Sequence, residues 1–281
     1  MSAPIPKSDP RSPERIREHY LIEKELAARL RDATRKERQR LYTVVYDELF
    51  RRVPDHPQLT LKTDEQTRRR LVAERVRLLS RYLRSKSTYL EIGPGDCSLA
   101  IAVAQQVRKV LAVDVSHEIA AGVALPKNVE LAICDGCSIP VPEGSIDIAY
   151  SDQLMEHLHP DDAREQLANI YRALAPGGVY VCLTPNRLSG PHDVSRYFDE
   201  VATGFHLQEY TARELAAMFR AVGFRKLVAL VGARGSHVAV PVPFIKGIEV
   251  LLTRLPRRFG KTLARGLPLR LILGVKLVAS K

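Results

Sequence analysis

The stretch Tyr89-Leu90-Glu91-Ile92-Gly93-Pro94-Gly95-Asp96-Cys97 decides the fold. A short apolar strand runs into a turn with two glycines and then into a helix, expected at 97–107. Gly93 and Gly95 lack a Cβ, so the chain can turn tightly and its backbone can approach a ligand closely. Outward from this point, the apolar runs KVLAVDV, VELAI, IDIAY and VYVCL alternate with helical stretches expected at 160–174 and 211–222. Such alternation predicts an open, doubly wound α/β sheet covered by helices on both faces. Ligands of these sheets bind beyond the carboxyl ends of the strands.

Three polar signals stand at successive strand ends. The first is the glycine turn, and the second is Asp114, 21 residues beyond Gly93, the spacing at which a carboxylate accepts hydrogen bonds from ribose hydroxyls. The third is Asp135-Gly136, where a carboxylate can accept from an adenine amino group. Each has a plainer alternative: a bare turn, a helix cap, and Asp-Gly turn chemistry. Together they outline a site shaped for a nucleoside.

Residues 88–232 resemble the class I S-adenosylmethionine (SAM)-dependent methyltransferases, in particular the type 11 branch that includes quinone-biosynthesis enzymes. The resemblance is carried by EIGPGDC (91–97), VLAVDVS (110–116), CDGCSIPVPEGSIDIAYSDQLMEHL (134–158) and LAPGGVYVCLTPN (174–186). It implies a seven-stranded Rossmann-like sheet, with LRLILGVKLVAS (269–280) as the last strand. It also implies that Glu91, Gly93 and Gly95 cradle the methionine part of SAM, that Asp114 holds the ribose, and that Asp135 and Gly136 meet the adenine. Ser151 and Asp152 would line the cofactor or substrate edge. Cys97 stands where the family often has a third glycine, and the pattern departs there from the G-x-G-x-x-G of nicotinamide enzymes.

The net charge of +11 is uneven. Residues 1–87 hold 22 Lys and Arg against 13 Asp and Glu, residues 88–240 hold 12 against 18, and residues 241–281 hold 9 against 1. The chain therefore divides into a basic N-terminal tail with helices (1–87) and a SAM-binding domain (88–281) with a helical insertion or lid at 232–268. The first dozen residues, rich in proline, read as a disordered tail; helices are expected over 14–52 and from a capping box at Thr63 and Gln66. No apolar run is long enough for a bilayer span, and the start lacks the apolar core of a secretion signal, so the expected location is cytoplasmic. The apolar and basic stretch 244–265 suits either a lid or peripheral contact with an anionic membrane.

Methyl transfer to a hydroxyl requires a group that takes the proton. His192, beside Asp193 in the long connection 185–209, is the first choice for that base; His157 is the second, with His159 and His206 nearby. A solvated loop histidine is the plainer reading of the former, a structural one of the latter. Cys134 and Cys137 lack a second pair to complete a zinc site, and Asp161-Asp162 reads as a helix start, so no metal is expected. The reading that results is a SAM-dependent methyltransferase acting on a small-molecule or lipid- or glycan-linked acceptor at oxygen. Nucleic acid is disfavoured because the basic arms lack interleaved aromatics; an RNA methyltransferase and a non-catalytic SAM-binding regulator or scaffold are the alternatives.

Overall fold

The computed structural model describes residues 5, 9–60, 65–116 and 122–281; Thr63, half of the expected capping box, lies outside them. Four helices come first: α1 (Pro13–Asp32), α2 (Arg35–Arg52), the single turn α3 (Pro57–Thr60) and α4 (Glu65–Leu79). The sheet then alternates with helices as β1 (Thr88–Ile92), α5 (Ser98–Ala104), β2 (Lys109–Asp114), β3 (Val129–Ile133), β4 (Ile146–Asp152), α6 (Pro160–Ala173), β5 (Leu174–Thr184) and α7 (Ala212–Ala221). The chain closes with β6 (Lys226–Ala233), β7 (Ser236–Pro241), α8 (Val242–Arg254), α9 (Arg257–Arg265), α10 (Leu269–Leu273) and β8 (Val275–Ser280).

The strand order is β3-β2-β1-β4-β5-β8-β6-β7. Strands β1 to β5 run parallel, whereas β8 is antiparallel to both β5 and β6. The order reverses direction between β1 and β4, so the crevice at their carboxyl ends is the switch point where a ligand belongs. Burial explains the strand sequences: every residue of β1 is buried, as a parallel strand covered on both faces requires.

Two expectations need correction. Among the described residues the sheet has eight strands rather than seven, because residues 236–241 hairpin back onto β6 instead of belonging to a helical insertion. Arg234 and Gly235 make that turn with φ of +54° and +77°, the left-handed pair that a two-residue hairpin demands. The second correction concerns 269–280: Leu269–Leu273 is a short helix, and the strand begins only at Val275. Expected helix 211–222 is present with its capping box, Thr211 accepting from the Glu214 amide at 3.2 Å while Glu214 accepts from the Thr211 amide at 2.9 Å.

The N-terminal helices pack into the body of the domain. Leu26 and Leu30 of α1 and Tyr42, Val45 and Leu49 of α2 share one core with Leu90, Val113 and Ala149 of the sheet. A buried ion pair fastens α2: Arg38 donates to both oxygens of Asp162 on α6 at 2.6 and 2.8 Å, and the Tyr42 hydroxyl donates to the same carboxylate at 2.7 Å. Residues 9–11 are also tied down, since Arg11 donates to Asp9 and to His19 Nδ1. On the far side, α8 carries a buried Glu249 that accepts from Asn186 Nδ2 (2.8 Å) and from the Ala212 and Arg213 amides (2.7 and 3.0 Å). Helix α7 is thus capped partly from another helix, and the start of the 185–209 connection is fixed with it.

Candidate functional site: two cavities with a shared wall

A cavity of about 230 Å³ lies at the switch point, lined by Gly93 and Gly95 after β1, Asp114 at the end of β2, Cys134 and Gly136 after β3, and Asp152 at the end of β4. Tyr42, Tyr46 and Phe50 of α2 form its outer wall. The turn behind it is strained as well as glycine-rich. Gly93, Gly95 and Gly136 have φ of +69°, +55° and +86°, and two non-glycine residues beside the cavity, Cys97 and Gln153, are also left-handed at +59° and +55°. Such residues cost about 1–3 kcal/mol each and persist where the surroundings over-determine them. The left-handed φ at Cys97 gives the reason a glycine suits that position.

Asp114 accepts from the Val115 and Ser116 amides at 2.7 and 3.1 Å, both through Oδ1. Burial raises its pKa, and these amides oppose the rise. Deeper in, Glu91 is buried with Oε2 lacking a hydrogen-bond partner, and burial together with Asp152 raises its pKa well above the usual carboxylate range. Asp152 has one oxygen held by Arg75 (2.5 Å) and Tyr150 (3.0 Å) and the other unpartnered. Two orphaned, buried carboxyl oxygens beside a glycine turn suit a cationic ligand group, which would give each an otherwise missing donor.

The expected site residues divide accordingly. Gly93, Gly95, Asp114, Gly136 and Asp152 meet at the cavity, with Glu91 buried behind it. Asp135 is turned aside: its carboxylate accepts from the Cys137 and Ser138 amides and from Gln39, so it closes its own loop rather than facing the cavity. Ser151 is wholly buried against the Tyr180 hydroxyl at 2.7 Å, on the core side of β4. Missed from sequence were Tyr42 and Tyr46, whose positions depend on how α2 docks.

A second cavity of about 630 Å³ adjoins the first, sharing Tyr46, Gln153 and His157 as a wall. His19 of α1 and His56 of the α2–α3 connection line it, as do His192, Arg196 and His206 of the 185–209 connection. Among the described residues, five histidines therefore line one space. His192 donates from Nε2 to the Asn186 carbonyl at 3.1 Å, which leaves Nδ1 with its lone pair. Burial lowers its pKa, so the ring is neutral near pH 7 and able to take a proton. Asp193 does not assist it. That carboxylate serves Ser195 and the Gly204 amide, and Glu209 instead accepts from the His192 amide at 2.7 Å.

His157 is half-buried on the shared wall, with Tyr46 Oη 3.0 Å from Nδ1, and burial presses its pKa down to about 3. Glu156 is buried, accepts from Thr184 at 2.8 Å, and is raised to about 7 by burial. His206 contacts Glu209 at 2.8 Å through Nδ1; burial opposes protonation, but that contact and nearby carboxylates outweigh it and raise the pKa. His159 caps α6 and takes no part in either cavity wall. Cys134 and Cys137 are free thiols, the first on the cavity wall and the second in the core behind it. Asp161-Asp162 opens α6 as expected, with Asp162 serving as the anchor for Arg38.

A family model described as a methyltransferase domain matches residues 64–229. A "Probable S-adenosylmethionine-dependent methyltransferase" of Mycolicibacterium smegmatis is 31% identical over 136 residues, covering 48% of this chain and 51% of that protein. One of the same description from Mycobacterium tuberculosis is 32% identical over 136 residues, covering 48% and 47%. The chain thus spans about half the length of the curated relatives it matches. Among solved structures, a SAM-dependent methyltransferase from Archaeoglobus fulgidus superposes with a TM-score of 0.51 at 18% identity, covering 76% of this chain and 94% of its own. A structure of the complex between the Haloferax volcanii Trm112 methyltransferase activator and a methyltransferase gives 0.52 at 15%, covering 77% and 93%. These superpositions show the fold, and with the family match extending over more than half of its length, the chain belongs to the class I SAM-dependent methyltransferase family.

Proposed function

We propose that the chain transfers a methyl group from SAM to the oxygen of a small-molecule or lipid- or glycan-linked acceptor held in the second cavity. The observation that carries this is the shared wall: the switch-point cavity and a larger, histidine-lined one meet at Tyr46, Gln153 and His157. The smaller cavity fits the cofactor, with Asp114 toward the ribose, Gly136 toward the adenine, and the orphaned oxygens of Glu91 and Asp152 suited to the methionine ammonium. When bound, SAM supplies an activated methyl on a sulfonium.

The chain's own contribution is alignment and proton removal. In-line attack needs the acceptor oxygen fixed near van der Waals distance of the methyl carbon, and the rigid wall of Tyr46 on Phe205 (ring centroids 4.9 Å apart) supports such placement. His192, neutral and with Nε2 committed to a carbonyl, holds Nδ1 ready for the acceptor proton. Histidines on the wall favour a hydroxyl over an amine, which loses its proton without a strong base.

A lipid- or glycan-linked acceptor is supported by α8 and α9. Phe244, Leu251, Phe259 and Leu263 are exposed beside Arg254, Arg257, Arg258 and Arg265, and the segment's one acid, Glu249, is buried. That composition suits peripheral contact with an anionic membrane. Among the described residues no helix is long and apolar enough to cross one. RNA is disfavoured because the N-terminal arginines are largely spent internally, as in Arg15–Asp55, Arg29–Glu48 and Arg52–Glu25.

The test is transfer of radiolabelled methyl from SAM into small-molecule, lipid, glycan and RNA fractions by wild type and His192→Ala. Label in a small-molecule, lipid or glycan product, with turnover reduced at least a hundredfold in His192→Ala and SAM affinity unchanged, supports the reading. SAM binding without transfer to any fraction would favour the regulator or scaffold, and label in RNA would replace the acceptor class.

A further inference from the structure

We propose that Glu156, His157 and His206 bind one divalent first-row transition-metal ion at the edge of the second cavity. The three offer ligand atoms that all lie within 4.8 Å of one another. Glu156 and His157 sit on a 3-10 turn (Met155–His157) after β4, and His206 closes the 185–209 connection opposite them. A buried carboxylate with two imidazoles that line the second cavity is a donor set that binds Mn²⁺, Fe²⁺, Co²⁺ or Zn²⁺ while leaving positions for a further ligand on the cavity side.

Two observations point to an ion rather than to a hydrogen-bonded cluster. Glu156 is fully buried, yet its Oε1 has no hydrogen-bond partner, whereas Oε2 is held by Thr184. The second is the arrangement behind the ligands. His206 is paired through Nδ1 with the Glu209 carboxylate, leaving Nε2 as its ligand atom, and Tyr46 Oη lies against Nδ1 of His157. Such outer partners orient metal-bound histidines.

A second group, His19, Glu23 and His56, has similar spacing but the wrong surroundings. The Arg11 guanidinium donates to Nδ1 of His19 where a metal-bound ring needs an acceptor, and Glu23 is already used by both histidines and by the Phe205 amide. Glu156 and His206 are distant in sequence and meet only in the fold, so sequence offers only Cys134–Cys137 and Asp161–Asp162 as metal candidates.

The role of the ion rests on the acceptor reading above. An acceptor hydroxyl bound to the ion is made more acidic. Its proton passes to His192, and the oxygen forms the bond to the methyl carbon as the carbon–sulfur bond breaks and its electron pair goes to sulfur. Metal binding itself does not depend on that reading.

The test is titration of the chelator-stripped full chain with Co²⁺, read by visible ligand-field absorption and by thermal unfolding. Expected are one equivalent bound, a raised Tm, and at least tenfold weaker binding in Glu156→Gln and His206→Gln, with His19→Gln unchanged. Should either variant fail to fold, pulsed paramagnetic resonance of Mn²⁺ on His19→Gln decides: two coordinated imidazoles support the site, and none refutes it. No saturable binding of Co²⁺ or Mn²⁺ by the folded wild type overturns the proposal, as does binding lost in His19→Gln and kept in Glu156→Gln. SAM binding measured on the same stripped protein separates the two readings: a chain that binds SAM but no metal loses only this site.

Discussion

Gly136→Ala tests whether helix α2 shapes the cofactor cavity. Gly136 has φ of +86°, where an L residue costs about 1–2 kcal/mol. An added Cβ would lie 3.0 Å from Cδ2 of Tyr42. That ring cannot swing aside freely, because its hydroxyl donates to Asp162 at 2.7 Å and accepts from the His159 amide at 3.0 Å. The glycine cannot retreat either, since its carbonyl accepts from Gln166 at 2.6 Å. Yielding therefore sacrifices roughly one hydrogen bond, about 0.5–1.5 kcal/mol, and the total loss of stability is about 1.5–3.5 kcal/mol. Urea unfolding of wild type, Gly136→Ala, Tyr42→Leu and the double variant separates the two parts. Without the ring the substitution should cost only its backbone part, giving a coupling energy of about 0.5–1.5 kcal/mol. SAM affinity should fall in the single variant, because both residues line the cavity. A loss within about 0.5 kcal/mol of zero, or the same loss with and without Tyr42, would refute the reasoning.

Asp114→Ala should weaken SAM binding about ten- to a hundredfold by calorimetry, the value of one or two hydrogen bonds to a charged acceptor. Unchanged affinity in a folded variant would remove Asp114 from the ribose. Arg38→Met should cost about 3–5 kcal/mol in urea unfolding, because it strands the buried Asp162 carboxylate; a loss under about 1 kcal/mol would show that the pair contributes little. Glu23 governs an acid transition. Burial alone would raise its pKa, but His19 and His56 outweigh burial and hold it down to about 2. A carboxyl below its unfolded value contributes stability above about pH 4.5 that is lost as pH falls toward 2, and His56, lowered by burial, acts in the same direction below its ordinary range. Glu23→Gln should flatten the dependence of Tm on pH between 4.5 and 2, and an unaltered slope would count against the cluster.

Local chemistry made the sheet and the cofactor crevice legible. Each strand is a short apolar run, and Gly93, Gly95 and Asp114 lie at strand ends where chain direction alone places them. Strand β7 escaped because its turn is Arg234-Gly235, a weak hairpin signal beside Asn-Gly. The helix Leu269–Leu273 was hidden by apolar alternation that suits a strand equally well. The orientation of Asp135 is not legible in sequence, because a carboxylate before glycine can face a ligand or satisfy the next amides, and here it accepts from those of Cys137 and Ser138. The histidine-lined cavity joins residues 19, 56, 157, 192 and 206, a meeting that depends on α1 docking against the 185–209 connection.

Glu249 constrains which parts of the molecule can open. With Asn186 and two α7 amides gripped by one buried carboxylate on α8, the insertion and the root of the histidine-bearing connection behave as a single splint. Swinging α8 away would strip the buried Asn186 amide and two α7 N–H groups of the acceptor they share, so traffic into the larger cavity should pass where residues 9–11 lie on its rim. Crosslinking α8 to α7 should then leave substrate exchange undisturbed, whereas tethering the N-terminal strap should throttle it.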